Sequence, residues 1–146
     1  MNVENLKLEN NKFDKVISIE TLEHVLNPDK AIKELSRVLK PQGILVITYP
    51  LINETIMKKL GRIIGIKNHI SVSEHLTEWD YNELIRKIEK NNFKLEKSEG
   101  IVFDLGILNK LKYISKNIMG NVLKIQLLIK NFPRNSYFVA LKFRKI

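Results

Sequence analysis

The chain of 146 residues carries a formal charge of +9, with 44% hydrophobic residues and no cysteine. This allows one domain with a single modest core, and it excludes both a disulfide framework and a thiolate zinc site. No apolar run is long enough to span a bilayer, and the N-terminus lacks a basic segment followed by an apolar stretch, so the chain reads as cytoplasmic. The positive charge invites a nucleic-acid or anionic-membrane reading. However, the lysines are dispersed along the whole chain, which fits a solvated surface better than a nucleic-acid patch.

In chain order, a short polar stretch, Met1 to Lys12, precedes Phe13 to Ile19, a β-branched apolar run. Gly43 to Tyr49 is a second such run, and both have too few polar positions for a sheet face that meets water. Both therefore read as central strands of a parallel sheet. Between them Asn27 suits an N-cap, Pro28 the first helical position and Asp29 the positive helix end. Ile32, Leu35, Val38 and Leu39 recur at helical spacing, which turns Lys30, Lys33, Glu34 and Arg37 outward. Lys40-Pro41-Gln42-Gly43 ends the helix, because Pro cannot extend it and Gly43 permits a sharp reversal. The result is one βαβ unit.

Asn53 to Gly65 reads as a helix, and Ile66 to Leu76 as a loop carrying His69 and His75. Thr77 to Asn91 is predicted as a second helix capped by Thr77, with Tyr81, Leu84, Ile85 and Ile88 as its apolar stripe. Asn92 suits the left-handed residue that closes it. Lys94 to Phe103 is the next strand. Leu105 to Phe132 reads as mostly helical with a break at Gly120, and Asn135 to Arg144 as a closing strand.

Phe13-Asp14, Leu22-Glu23-His24, Pro28, Leu35, Arg37-Val38-Leu39-Lys40-Pro41, Gly43 and Pro50 together form a pattern. It resembles the later half of class I S-adenosylmethionine-dependent methyltransferases, of the type 11-like family, across their fourth and fifth strands. Gln42 stands where that family more often has Gly. HLTEWDYNELIRKIEKNNFKLEK resembles the following helix and strand, and SYFVALKFRK the antiparallel last strand. The resemblance implies a Rossmann-like α/β fold, represented by the second half of a doubly wound sheet. About four strands with flanking helices are expected.

The family's Gly-rich cofactor turn has no counterpart here: Gly43, Gly61, Gly65, Gly100, Gly106 and Gly120 form no G-x-G turn after a strand. Residues 1–146 are accordingly expected to be one partial methyltransferase domain, with 104–134 as a helical insertion or lid before the last strand. A truncated domain, the second half of a split gene and a gene model begun at an internal Met all account for this.

The resemblance implies S-adenosylmethionine as cofactor and a small-molecule acceptor, lipid-like or quinone-like among the options. It places Asn2, Val3, Ile19 and Glu20 beside the cofactor, with Asn2 where an acidic residue usually faces the adenine amino group. Glu20, Glu23 and His24 follow the carboxyl end of the first strand, where open α/β sheets bind ligands, and would share one side of a helical turn. Three readings stay open. Glu20, Glu23 and His24 line a substrate pocket, with His24 as general base or hydrogen-bond partner for a substrate hydroxyl. Alternatively, Glu20, Glu23 and His24, with His75, hold Mg²⁺ or Mn²⁺, as the resemblance of E-x-x-E-H to ubiquinone-pathway and small-RNA methyltransferases implies. Or Glu23 and His24 are merely solvent-facing.

Trp79 reads as a packing aromatic. The lysines beside the apolar stripe of Leu105 to Phe132 leave a peripheral membrane contact open. Rival functions are a non-catalytic half-domain and metal-dependent RNA 2′-O-methylation. The strand Phe13 to Ile19 would lack the neighbour that precedes it in the full fold. A homodimer or a complementing N-terminal chain is therefore expected at that open edge.

Overall fold

The computed structural model describes residues 2–51, 75–101, 133–136 and 138–146. His69, the helix expected at 53–65 and nearly all of the expected lid lie outside the described residues. Among the described residues four strands form one sheet in the order β1-β2-β4-β3, with β1 at Phe13–Ile19, β2 at Leu39–Pro50, β3 at Phe93–Ile101 and β4 at Phe138–Lys145. β1 and β2 run parallel, from Lys15 opposite Ile44 to Ile19 opposite Thr48. β4 is antiparallel to both β2 and β3, as the resemblance implied.

Helix α1, Pro28–Val38, joins β1 to β2 and begins as its sequence dictates. Pro28 takes the first turn, and the Asn27 side chain accepts a hydrogen bond from the Lys30 amide at 3.0 Å. Its buried face is Ala31, Ile32, Leu35 and Val38. Glu34 and Arg37 were expected to point outward, yet they hold the N-terminal segment against the helix. The guanidinium donates to both Glu34 carboxylate oxygens at 2.7 and 2.8 Å, to Leu8 O at 2.7 Å and to Leu6 O at 3.0 Å.

The reversal after α1 is a wide bulge: Phe13 pairs with Leu39, and the next pair is Lys15 with Ile44. Gln42, not Gly43, takes the left-handed conformation there, at φ 62°. Gly43 is required for a different reason. A Cβ at that position would lie 2.7 Å from Leu39 Cγ and 2.8 Å from Lys40 O.

Helix α2, Tyr81–Glu89, is shorter than expected, because Asp80 and not Thr77 is the cap, its carboxylate accepting from the Glu83 amide at 2.8 Å. Tyr81, Leu84 and Ile88 are buried, and Asn92 closes the turn at φ 61°, as expected. Lys87 pairs with Asp29 at 2.9 Å and so sets α2 beside α1. Both helices cover one face of the sheet, where Leu45, Ile47, Tyr49, Val139, Leu141 and Phe143 complete a single core. The other face of β4 carries Lys142 and Arg144, both paired with Glu96 of β3.

β2 is a central strand, but β1 is an edge among the described strands, with Ile17 and Ile19 67% and 65% exposed. No helix among the described residues is long and apolar enough to cross a membrane.

Candidate functional site

The chain leaves β1 under tight control. The Glu20 amide donates to Thr48 Oγ1 of the neighbouring strand at 3.2 Å, and Thr21 Oγ1 donates back to Ile19 O at 2.9 Å. Glu20 itself is left-handed, at φ 45°. A single 3-10 turn, Leu22–His24, follows, and Leu22 is driven into the core. That insertion takes Glu23 with it: the side chain is fully buried, and neither carboxylate oxygen has a hydrogen-bond partner among the described residues. Burial pushes the carboxyl up to about 7; its own backbone amide and His24 oppose the rise, and the neighbouring Glu20 carboxylate adds to it. A buried carboxylate without donors is costly, and such an arrangement marks a functional site more often than a structural one.

Two imidazoles face this carboxylate. His24, on the same turn and exposed, has Nε2 at 4.0 Å from Glu23 Oε1. His75 arrives from the segment before α2, its ring 5.1 Å from that of His24 and nearly edge-on at 71°. One ligand atom from each of Glu23, His24 and His75 falls within a span of 4.8 Å, the one such group among the described residues. Glu20 stands outside it: its left-handed backbone precedes the turn, so the helical spacing expected to align Glu20 with Glu23 and His24 is not realised.

The 75–79 segment is held from two sides. Glu23 O accepts from the Leu76 and Thr77 amides at 2.8 and 3.2 Å. The buried Tyr49 hydroxyl donates to Thr77 O at 2.9 Å and accepts from the Trp79 amide at 3.2 Å, while the two rings stack at 5.6 Å and 15°. Trp79 is thus a core aromatic, as expected, and Lys87 Nζ lies 5.6 Å from its ring centroid. Tyr49 escaped the sequence reading, although its place at the carboxyl end of a central strand is where such sheets place ligand-contacting groups.

A model of the methyltransferase domain family matches residues 1–47, which include Glu20, Glu23 and His24. The ubiquinone biosynthesis O-methyltransferase of Pelagibacter ubique is 34% identical over 101 residues, covering 64% of this chain and 40% of that protein. Among solved structures, an S-adenosylmethionine-dependent methyltransferase from Thermotoga maritima matches the whole of this chain and 62% of its own, with a TM-score of 0.62 and 17% identity. The chain has the class I methyltransferase fold, and its first 47 residues match the methyltransferase domain family.

The methyltransferase from Rickettsia bellii, also named for ubiquinone biosynthesis, is 28% identical over 138 residues, 78% of this chain and 54% of its own. The chain thus spans about half the length, or less, of these curated relatives. The cofactor of this methyltransferase class is S-adenosylmethionine. Of the positions placed beside it, Ile19 is exposed at the carboxyl end of β1 and Val3 packs partly against the core. Asn2 Oδ1 already accepts from the Glu4 amide at 2.9 Å.

Proposed function

We propose that this chain carries the acceptor side of a methyl transfer from S-adenosylmethionine to the hydroxyl of a quinone-like small molecule. The observation that carries the reading is the buried Glu23 carboxylate, without a hydrogen-bond partner among the described residues, with His24 and His75 around it at the carboxyl end of β1. The names of the relatives favour a quinone-like acceptor over RNA.

S-adenosylmethionine, when bound, supplies an electrophilic methyl group whose bond to sulfur breaks as the bond to the acceptor oxygen forms. The acceptor must lose its proton, and the exposed imidazole of His24 is placed to take it. Glu23 and His75 orient that imidazole and fix the position of the acceptor, which is where most of the rate advantage of such a step arises. Exposed Ile19 and half-buried Val3 offer apolar contact on the cofactor side. A carboxylate with two imidazoles also suits a divalent cation such as Mg²⁺ or Mn²⁺. Glu23, His24 and His75 would hold it, and it would lower the pKa of the acceptor hydroxyl in place of general-base action by His24.

The exposed edge of β1 supports a further part of the reading: an additional strand, from a second copy or a complementing N-terminal segment, pairs there.

The test is binding of a 1,2-dihydroxybenzene with an apolar tail, measured by titration calorimetry with Mg²⁺ or Mn²⁺ present and absent. Cation-dependent binding that Glu23→Ala and His24→Ala abolish is expected. Equal binding by both variants and the unaltered chain would put the acceptor elsewhere and overturn the reading.

A further inference from the structure

We propose that Tyr49 is a positioning residue for the Glu23, His24 and His75 site, acting through the 75–79 segment that presents His75. The proposal rests on the reading of that trio as the acceptor and cation site.

His75 lies far from Glu23 in sequence and belongs to no helix or strand, so its place beside His24 depends on what holds the segment. Two groups do so. The Glu23 carbonyl takes the Leu76 and Thr77 amides. The Tyr49 hydroxyl takes the Trp79 amide and gives its proton to the Thr77 carbonyl. Tyr49 is itself immobile: it is fully buried, stacked on Trp79 and fixed in β2 by pairing with Val139.

One oxygen atom therefore spans residues 77 and 79, and the carbonyl of a site residue spans 76 and 77. Thr77 sits in both ties, and His75 is two residues upstream of it. Phe at position 49 would keep the ring stack but lose the hydroxyl, leaving the Trp79 amide and the Thr77 carbonyl without this partner. The end of the segment nearest α2 would be freed, and with it the fixed position of His75. Residues that orient metal ligands from behind typically change affinity by about ten- to a hundred-fold when lost.

The experiment compares the unaltered chain, Tyr49→Phe and Glu23→Gln by two measurements. The first is the nuclear Overhauser contact between the His24 and His75 rings. The second is Mn²⁺ affinity by electron paramagnetic resonance. In Tyr49→Phe the ring contact is expected to disappear and Mn²⁺ affinity to fall about tenfold, with the far-UV spectrum unchanged. Glu23→Gln should lose Mn²⁺ and keep the ring contact, because its backbone carbonyl remains. If Tyr49→Phe retains both the contact and the affinity, the proposal is overturned. If the unaltered chain shows the contact but binds no Mn²⁺, the cation reading fails and the contact alone decides the role of Tyr49. Should Tyr49→Phe fail to fold, amide exchange in the unaltered chain decides. Protection of the Trp79 amide comparable to that of β2 supports the clamp, and rapid exchange there overturns it.

Discussion

Glu23→Gln removes a charge that is buried without donors among the described residues, and its effect on stability follows from the geometry. The carboxyl is fully buried, and its pKa rises from 4.5 to about 7, burial being the largest cause. For an acid whose folded pKa lies above its unfolded value, the associated stability is complete below the unfolded value and is lost as pH rises to the folded one. Glu23 therefore costs nothing at pH 4, and by pH 8 it costs roughly 3 kcal/mol. That is a substantial part of the 5–15 kcal/mol that holds a typical domain together.

Gln is nearly isosteric and stays neutral, so the variant should equal the unaltered chain at pH 4 and exceed it by about 2–3 kcal/mol at pH 8, with the gain developing between those limits. Urea unfolding at pH 4, 6 and 8 in the presence of a chelator measures this. Adding Mn²⁺ should restore stability to the unaltered chain alone, because only that protein has the full ligand set. A Glu23→Gln variant no more stable than the unaltered chain at pH 8, or one whose gain does not depend on pH, would refute the reasoning.

Gln42→Gly relieves the left-handed backbone at φ 62° and should stabilise by about 0.5–1 kcal/mol, whereas Gly43→Ala meets backbone oxygens at 2.8 and 3.2 Å and should destabilise by about 1–3 kcal/mol. Opposite signs in urea melts of adjacent variants are the check. Arg37→Ala frees the Leu6 and Leu8 carbonyls and should cost about 1–2 kcal/mol at pH 7, the pair being partly open to solvent. Because Arg37 holds the Glu34 carboxyl down at about 2, that stability is present above pH 4.5 and is lost as pH falls toward 2; the variant should show a shallower acid limb. Ile17→Lys places a charge on the β1 edge and should reduce concentration-dependent association in sedimentation, with identical profiles telling against edge pairing.

The βαβ unit was legible because its signals are local: Asn27 caps, Pro28 starts, and the apolar period fixes the buried face. Where the reading failed, a distant contact had displaced a local preference. Thr77 is a good cap in isolation, but the Tyr49 hydroxyl and the Glu23 carbonyl bind it and its neighbours in a non-helical path, so α2 begins only at Tyr81 behind Asp80. Arg37 looked solvated because the helix period says nothing of the segment at residues 6–10 that lies across it. A reversal at Lys40 to Gly43 was foreseen, but not which residue bears its positive φ, since Gly43 is consumed by close approach rather than by dihedral freedom.

The site was half legible for the same reason. Glu23 and His24 are adjacent in sequence, and the end of a strand is a strong positional signal. Bringing Glu20 in with them required a helical turn, and that the left-handed backbone at Glu20 denies. His75 was expected with them, and the ties that bring it there are made by the fold. Those ties divide Glu23 in two. Its carbonyl accepts two amides, while its buried carboxylate accepts none among the described residues. A purely structural role would be served as well by Gln or Met at that position without the cost of burying a charge. The buried carboxylate thus supports the proposal that something binding at the site completes its coordination, and the two imidazoles within 4.8 Å are what that ligand would share.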